Sequence, residues 1–208
     1  MKLMDKLKKE LRCNKKGLLF LLGITIIGFI FGVIFITIIN KSDKLLVKDY
    51  IISYIDNIKN NKIDFIDNFK NIFFSNFSFI LIVWILGMSV IGIPINIFYY
   101  FINSFILGFS IASFILTYNI KGCIFSLIYI IPHSLINILI FTFLIYYTIN
   151  FSLTLIFAIF KKKSINFKVI INKYIKVFLI SFIIIILTSL YEAFIIPNIM
   201  NKLLFIVK

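Results

Sequence analysis

Long runs of apolar residues alternate with short polar and basic blocks along the chain. The first run, residues 17–39, contains no charged residue, and the last, residues 177–196, is interrupted only by Glu192. Between them, residues 77–160 carry a single charge, Lys121. A helix needs about 20 apolar residues to cross about 30 Å of hydrocarbon. The pattern therefore predicts an all-α fold, a polytopic transmembrane helix bundle.

Basic residues indicate how this bundle is oriented. Residues 1–16 and 161–176 are strongly basic, whereas residues 40–76 are nearly neutral, with six lysines and five aspartates. Because positive residues are retained in the cytoplasm, we expect both basic blocks to be cytoplasmic and residues 40–76 to be extracytoplasmic. The N-terminus is then cytoplasmic and the C-terminus extracytoplasmic. The net charge of +14 lies beside predicted spans rather than in a nucleic-acid-binding motif, so no nucleic-acid partner is predicted.

The central run must then cross the membrane an odd number of times. Three crossings fit, at about residues 77–98, about 101–118, and inside 122–160, which gives about five spans in total. The last of these stretches is too long for one straight helix, and Pro132 removes a backbone donor within it. We expect a Pro-broken helix with a short half-helix before Pro132. A bundle of four spans plus a re-entrant segment stays open as an alternative.

Two further parts complete the predicted domain organisation. Residues 1–16 form a basic amphipathic cytoplasmic N-terminus, in which Leu3, Leu7 and Leu11 recur every four residues. This segment is expected to lie on the anionic lipid of the inner leaflet, or else to be a solvated tail. Residues 17–208 form a single membrane domain, with an extracytoplasmic helical segment at 40–76 and a cytoplasmic basic loop at 161–176.

The extracytoplasmic segment has two apolar stripes with helical spacing. They predict a helix–turn–helix at about 44–59 and 63–76, with Ile51, Ile55 and Ile58 on one face of the first helix. Two interpretations of that face are open: it packs on the outer ends of the spans, or it is a docking surface for an extracytoplasmic partner. The candidates for an outer docking surface are Tyr50, Tyr54, Phe65 and Phe69.

Composition excludes several classes of protein. The chain is 62% hydrophobic and 14% charged, whereas a soluble domain is about 25% charged. Only two cysteines occur, too few for a secreted disulfide scaffold. No phosphate-binding or dinucleotide-binding glycine pattern is found. A soluble enzyme and an ATPase subunit are therefore not expected.

Glu192 and His133 are the residues most suggestive of chemistry. Glu192 is the one acidic residue inside a predicted span, about one turn before Pro197. Three roles are open for Glu192: a structural role, a proton or ion site, or contact with a partner. His133 is the one histidine, and it has no neighbours at metal-ligand spacing. Ser134 is adjacent, which does not allow the usual nucleophile–base geometry, and no carboxylate is near in sequence. We therefore expect His133 to cap the helix break rather than to take part in catalysis. No catalytic residue, metal or cofactor is predicted.

Small residues predict close helix packing. Gly28 and Gly32 form a GxxxG pattern in the first span, and Ser104, Gly108 and Ala112 form a similar row in the third. Packing within one chain is the expected use, and self-association to a homo-oligomer is the alternative.

A motif in the central run resembles a known family. The stretch Trp84-Ile-Leu-Gly87-Met-Ser-Val-Ile-Gly92-Ile-Pro94 is followed by Gly108, by Pro132, and by Tyr191-Glu192-Ala193 running to Pro197. Together these are similar to the stage II sporulation protein M family, across nearly the whole chain. Many family members carry an acidic residue where this chain has Asn137. The structural or partner-contact candidates are Trp84, Gly87, Gly92, Pro94, Gly108, Pro132, His133, Glu192 and Pro197.

The resemblance implies a scaffold rather than an enzyme. Such a protein would anchor two peptidoglycan-degrading sporulation proteins, P and D, in the mother-cell membrane at the sporulation septum. There the complex would remodel septal wall for engulfment. The competing hypothesis is a transport component, either a small permease or the membrane subunit of an ATP-driven transporter. The helix break at Pro132, Glu192, and the polar residues Asn96, Asn103 and Asn137 favour that alternative.

Overall fold

The computed structural model describes residues 15–60, 64–89, 91–161 and 166–206, and these parts are helical, with no strand among them. The predicted amphipathic segment at the N-terminus lies outside these residues. The helices are α1 (Lys15–Ile38), α2 (Lys41–Lys59), α3 (Phe65–Leu86), α4 (Gly92–Tyr118), α5 (Ile120–Tyr129), α6 (Ile131–Lys161), α7 (Phe167–Leu190) and α8 (Ile196–Ile206). A π-helical turn, Tyr191–Ile195, joins α7 to α8.

Five stretches are long and apolar enough to cross a membrane, counted over the described residues. They are Lys15–Ile38, Phe65–Leu86, Gly92–Tyr118, Ile131–Ala158 and Phe167–Lys202. The predicted all-α bundle of about five spans is confirmed. The predicted break near Pro132 is present as well, because α5 ends at Tyr129 and α6 begins at Ile131.

The second span differs from the prediction. The expected outer helix at 63–76 and the expected span at 77–98 are largely one continuous helix, α3. No glycine or proline interrupts the apolar pattern between Phe65 and Leu86, so the helix has no reason to stop at the expected boundary. The chain turns instead after α3 ends at Leu86, and α4 begins at Gly92 rather than near residue 101. The motif of glycines and Pro94 therefore forms a turn between spans, not the middle of one.

The last span also extends beyond its predicted limits. Helix α7 begins at Phe167, so residues 167–176 of the predicted basic loop are helical. The helix then continues past Pro197 through the π-helical turn into α8.

Helices α1 and α4 pack closely along the small residues predicted for this purpose. A Cβ atom added to Gly32 would lie 2.1 Å from the carbonyl oxygen of Phe105. One added to Gly108 would lie 2.1 Å from the carbonyl oxygen of Phe29. Only glycine allows the two backbones to approach this closely. The two small-residue rows therefore face each other within one chain.

Two apolar clusters hold the bundle together. The larger one lies among the spans and includes Leu21, Ile80, Val83, Leu144 and Ile185. The smaller one lies where α2 meets the ends of α4, α5 and α8. Its buried members are Ile51, Ile55, Ile58, Phe114, Phe125, Ile130, Ile196 and Met200. The apolar face of α2 thus packs on the rest of the chain.

Candidate functional site: a polar cavity at two helix breaks

A cavity of about 180 Å³ lies between α3, α4, α6 and the π-helical turn. We call it the polar cavity, because carboxamide, hydroxyl, imidazole and carboxyl groups make up much of its wall. Its polar members are Ser75, Asn76, Asn103, His133, Ser134, Asn137 and Glu192. Aliphatic and aromatic side chains complete the lining. Polar groups inside a membrane domain are costly and usually mark a functional position.

The closest contact in the polar cavity joins its two ionisable residues. His133 Nε2 lies 3.3 Å from Glu192 Oε1, and the two side chains are only 11% and 14% exposed. The histidine stands in the first turn of α6, while the glutamate belongs to the π-helical turn. No carboxylate is near His133 in the sequence, and it is the fold that brings Glu192 into contact with it. Two helix interruptions, far apart in sequence, meet at this contact.

Pro197 gives a local reason for the π-helical turn. In a regular α-helix, the N–H of residue 197 would donate to the carbonyl of Ala193, and proline has no N–H. The N–H of Ile196 donates instead to the carbonyl of Tyr191, a bond that spans five residues. Single π-helical turns are common at functional positions, because the extra residue changes where side chains point. Here the turn holds Glu192 against His133.

The arrangement around His133 does not match a catalytic triad. Ser134 Oγ lies 3.2 Å from His133 Nε2, the same nitrogen that contacts Glu192. In a triad the serine and the carboxylate bind opposite nitrogens of the imidazole, so that the ring can relay a proton from one side while it is oriented from the other. Across the described residues, no group of three or more His, Cys, Asp and Glu side chains could hold a metal ion.

A hydrogen bond between spans supports the cavity wall. Thr188 Oγ1 donates to Asn137 Oδ1 at 2.9 Å, and both residues are buried. This contact ties α6 to α7 one turn before Glu192. Asn137 occupies the position at which the sequence resemblance predicts an acidic residue, and in this chain it serves as an acceptor for a neighbouring span.

Two tyrosines connect the polar cavity to helix α2. The hydroxyl oxygens of Tyr54 and Tyr129 are 2.7 Å apart, and the Tyr129 ring meets the His133 ring edge to face at 6.0 Å. Burial raises the pKa of the Tyr54 phenol above its usual value, so this phenol is neutral near pH 7 and shares one hydrogen bond with Tyr129. The contact links the predicted extracytoplasmic helix to the His133–Glu192 pair.

Comparison with known proteins places this architecture in a family. A family model described as stage II sporulation protein M matches residues 17–197. The chain belongs to the stage II sporulation protein M family. The match begins in α1 and ends at Pro197, so it covers the five spans almost completely and includes the polar cavity. Neither a search of curated proteins nor a search of solved structures gave a match.

The motif that carries the resemblance to the stage II sporulation protein M family forms the α3–α4 turn. A Cβ atom on Gly87 would lie 2.1 Å from Thr148 Cγ2, and one on Gly92 would lie 1.7 Å from the carbonyl oxygen of Leu86. Pro94 stands in the first turn of α4, where a missing N–H leaves no helical bond unmade. The glycines and Pro94 therefore have structural reasons to be present.

This turn is fastened to α6 and α7. Ser152 Oγ donates to the carbonyl of Gly87 at 2.5 Å, and the Tyr174 hydroxyl donates to the carbonyl of Trp84 at 2.5 Å. The rings of Trp84 and Tyr174 also stack at 5.7 Å. Sequence reasoning missed Ser152 and Tyr174. Their signal was only that of polar residues in apolar helices, which does not reveal a partner in another span.

The four outer docking candidates have different surroundings. Tyr50 is 74% exposed on α2. Tyr54 is hydrogen-bonded to Tyr129. Phe65 and Phe69 lie against Phe194, with ring centroids 6.0 and 6.4 Å from it. The fold therefore uses three of the four candidates for internal contacts and leaves Tyr50 at the surface.

Proposed function

We propose that this stage II sporulation protein M family member is a non-enzymatic membrane scaffold. It anchors peptidoglycan-degrading enzymes, the sporulation proteins D and P, in the mother-cell membrane at the sporulation septum. The recruited enzymes then remodel septal wall during engulfment. Family membership supports the link to sporulation, and the orientation predicted from the basic residues puts α2 on the same side of the membrane as the wall.

The observation that carries the proposal is the two-sided construction of α2. Its inner face is fixed by Ile51, Ile55 and Ile58, which are 3–6% exposed. On other faces, Leu46 and Tyr50 stand one turn apart and are 69% and 74% exposed. Large apolar side chains on a firmly anchored helix are typical of a protein contact. We call Leu46 and Tyr50 the docking face and assign it to the enzyme partners.

The test is an affinity pull-down from sporulating cells. The wild-type protein, tagged at its N-terminus and solubilised in mild detergent, should co-purify with an amidase and a lytic transglycosylase identified by mass spectrometry. The double variant Leu46→Ser with Tyr50→Ser should accumulate normally and lose most of both enzymes. Ile66→Ser is the matched control, because Ile66 is 60% exposed on α3 outside the docking face.

Two results would count against the proposal. Recovery of an ATPase or a solute-binding protein without wall enzymes would exclude the scaffold. Full recovery of both enzymes with the double variant would show that the enzymes do not bind at the docking face.

The polar cavity favours a second candidate function, a transport component. Discontinuous helices with polar groups between them are typical of transport sites, and the His133–Glu192 contact at 3.3 Å joins two such discontinuities. Proton flux into liposomes loaded with a pH-sensitive dye tests this function. Flux that is present in the wild-type protein and absent in Glu192→Gln would support it. Asp49→Asn, an exposed carboxyl changed in the same way, is the control, and no flux above that of empty liposomes would reject proton transport.

A further inference from the structure

A groove lies between α6 and α7 near the basic segment of the chain. Its volume is about 630 Å³, which is within the range of about 300–1,000 Å³ for ligand sites. We propose that this α6–α7 groove binds one anionic phospholipid, with the headgroup phosphate between Lys173 and Lys176 and an acyl chain along the apolar wall. This site is independent of the polar cavity and of the scaffold proposal.

The groove has polar side chains around Lys173 and Lys176 and apolar walls on the side toward Ile180. Helices α6 and α7 run in opposite directions, so Asn150 and Thr154 on α6 lie beside Asn172 and Lys173 on α7. Beyond Lys176 the walls are apolar, formed by side chains such as Phe143 and Ile180. A lipid has the same polarity, with a charged headgroup followed by hydrocarbon.

The groove lies at the end of the bundle where α7 begins. Its lining on α7 extends from Val169 to Ile180, which at 1.5 Å per residue is about 16 Å. The stretch from Lys176 to Ile180 makes up about 6 Å of this length, less than half of the depth of about 15 Å of one leaflet. The groove therefore holds the headgroup and the first part of an acyl chain, at the leaflet where α7 begins. By the predicted orientation this is the cytoplasmic leaflet.

Charge selects an anionic lipid. Residues 161–176 contain six lysines, and the sequence has no acidic residue between Asp67 and Glu192. The described acidic residues stand on α2, around the start of α3, and in the π-helical turn, away from the groove. Lysine side chains lay their methylene groups along apolar surface and present the ammonium to phosphate. Lipid phosphate is the abundant anion at this depth.

Aromatic packing gives the groove a fixed wall. The Lys173 ammonium lies 4.8 Å from the centre of the Tyr147 ring. Behind it, Tyr174 stacks on Phe151 at 4.2 Å and donates to the carbonyl of Trp84. The position of Lys173 is thus defined by its neighbours, and a preformed site costs less ordering when a ligand binds.

Trp84, the one tryptophan of the chain, is a natural reporter for this site. It stacks on Tyr174, which lines the groove. The protein is reconstituted in phosphatidylcholine bilayers that contain increasing fractions of dibrominated phosphatidylglycerol, or of dibrominated phosphatidylcholine, and quenching of Trp84 fluorescence is measured. We expect half-maximal quenching at a much lower fraction of the phosphatidylglycerol.

Lysine variants test whether the preference for phosphatidylglycerol arises in the groove. Lys173→Gln with Lys176→Gln should reduce the preference for phosphatidylglycerol by about 30-fold, since each lysine near an anionic lipid contributes about fivefold. Lys15→Gln with Lys16→Gln is the matched control, because it removes the same charge at the same end of the bundle. Gly17, the residue after this lysine pair, lies close to Tyr146, and the sequence neighbour of Tyr146, Tyr147, lines the groove. The control should keep most of the preference.

Three results would overturn the proposal. The first is equal quenching of the wild-type protein by the two brominated lipids, which needs no variant to interpret. The second is an unchanged preference in the Lys173→Gln, Lys176→Gln variant. The third is an equal loss in the control variant, which would show general attraction to basic charge rather than a site in the groove.

Discussion

Alanine substitution at two glycines of α1 separates the effect of close helix packing from that of helix propensity. At Gly32, a Cβ atom would lie 2.1 Å from the carbonyl oxygen of Phe105 and 2.7 Å from the backbone nitrogen of Phe109. At Gly23, on the same helix, nothing lies within 4 Å of an added Cβ atom. We predict that Gly32→Ala destabilises the protein and that Gly23→Ala does not.

The magnitude follows from the helix separation that Gly32→Ala demands. Ordinary contact begins at 3.4 Å, so α1 and α4 must separate by about 1.3 Å (3.4 minus 2.1) at this position. A gap of about 0.5–1 Å already removes a quarter to a half of the attraction at each packed contact. Overpacking of this kind typically costs about 1–3 kcal/mol. The helix propensity of alanine favours the variant by about 1 kcal/mol at both positions.

Thermal unfolding in detergent, followed by loss of the monodisperse peak in size-exclusion chromatography, measures the difference. The propensity gain is common to both variants, so their free energies of unfolding should differ by about 2 kcal/mol, which corresponds to a difference in Tm of roughly 4–8 °C for a chain of this size. Gly23→Ala should leave the Tm unchanged or raise it slightly. Equal Tm values for the two variants would refute the close approach of α1 and α4. Gly108→Ala should resemble Gly32→Ala, and combining the two should cost less than their sum, because they separate the same pair of helices.

Three other substitutions test contacts made by single side chains, and a fourth at an exposed position is the control for one of them. Tyr174→Phe removes the donor to the carbonyl of Trp84 and should cost about 1 kcal/mol, seen as a small fall in Tm and a change in tryptophan emission; unchanged values would contradict the hydrogen bond. Thr188→Val keeps the shape of the side chain but removes the donor to a buried amide oxygen, so the Tm should fall by the equivalent of about 1–3 kcal/mol. Ile55→Ala should cost about 2–5 kcal/mol, whereas Leu46→Ala, at an exposed position, should stay within about 0.5 kcal/mol of wild type. Similar losses in the last two variants would show that the exposed face of α2 is also buried.

The sequence determined the features of this protein that depend on local composition. Apolar runs long enough to cross a membrane predict the spans, because hydrocarbon tolerates only backbone whose polar groups are paired within the helix. Pro132 predicts the break between α5 and α6, because a proline lacks the donor that would continue the helix. The stripe of Ile51, Ile55 and Ile58 predicts an amphipathic helix, and the structure shows that this face is part of the core.

The local hydrophobic pattern determined the boundaries between neighbouring helices less well than it determined the spans themselves. The junction of the predicted outer helix with the second span contains no breaker, so α3 continues through it and the chain turns only after Leu86. Glycines and Pro94 favour this turn. Its position is fixed by partners in other spans, such as the Ser152 hydroxyl on the carbonyl of Gly87.

Only the tertiary structure decided which distant residues meet. His133 and Glu192 are each isolated in sequence, and no periodicity relates one helix break to another; packing of α6 against α7 and the π-helical turn brings them to 3.3 Å. The same holds for the glycine rows of α1 and α4 and for the groove between α6 and α7. Hydrophobic pattern sets which segments enter the membrane, but the side chains that interlock between helices set how those segments are arranged. The candidate sites of this protein therefore arise from contacts between segments that are separate in the sequence.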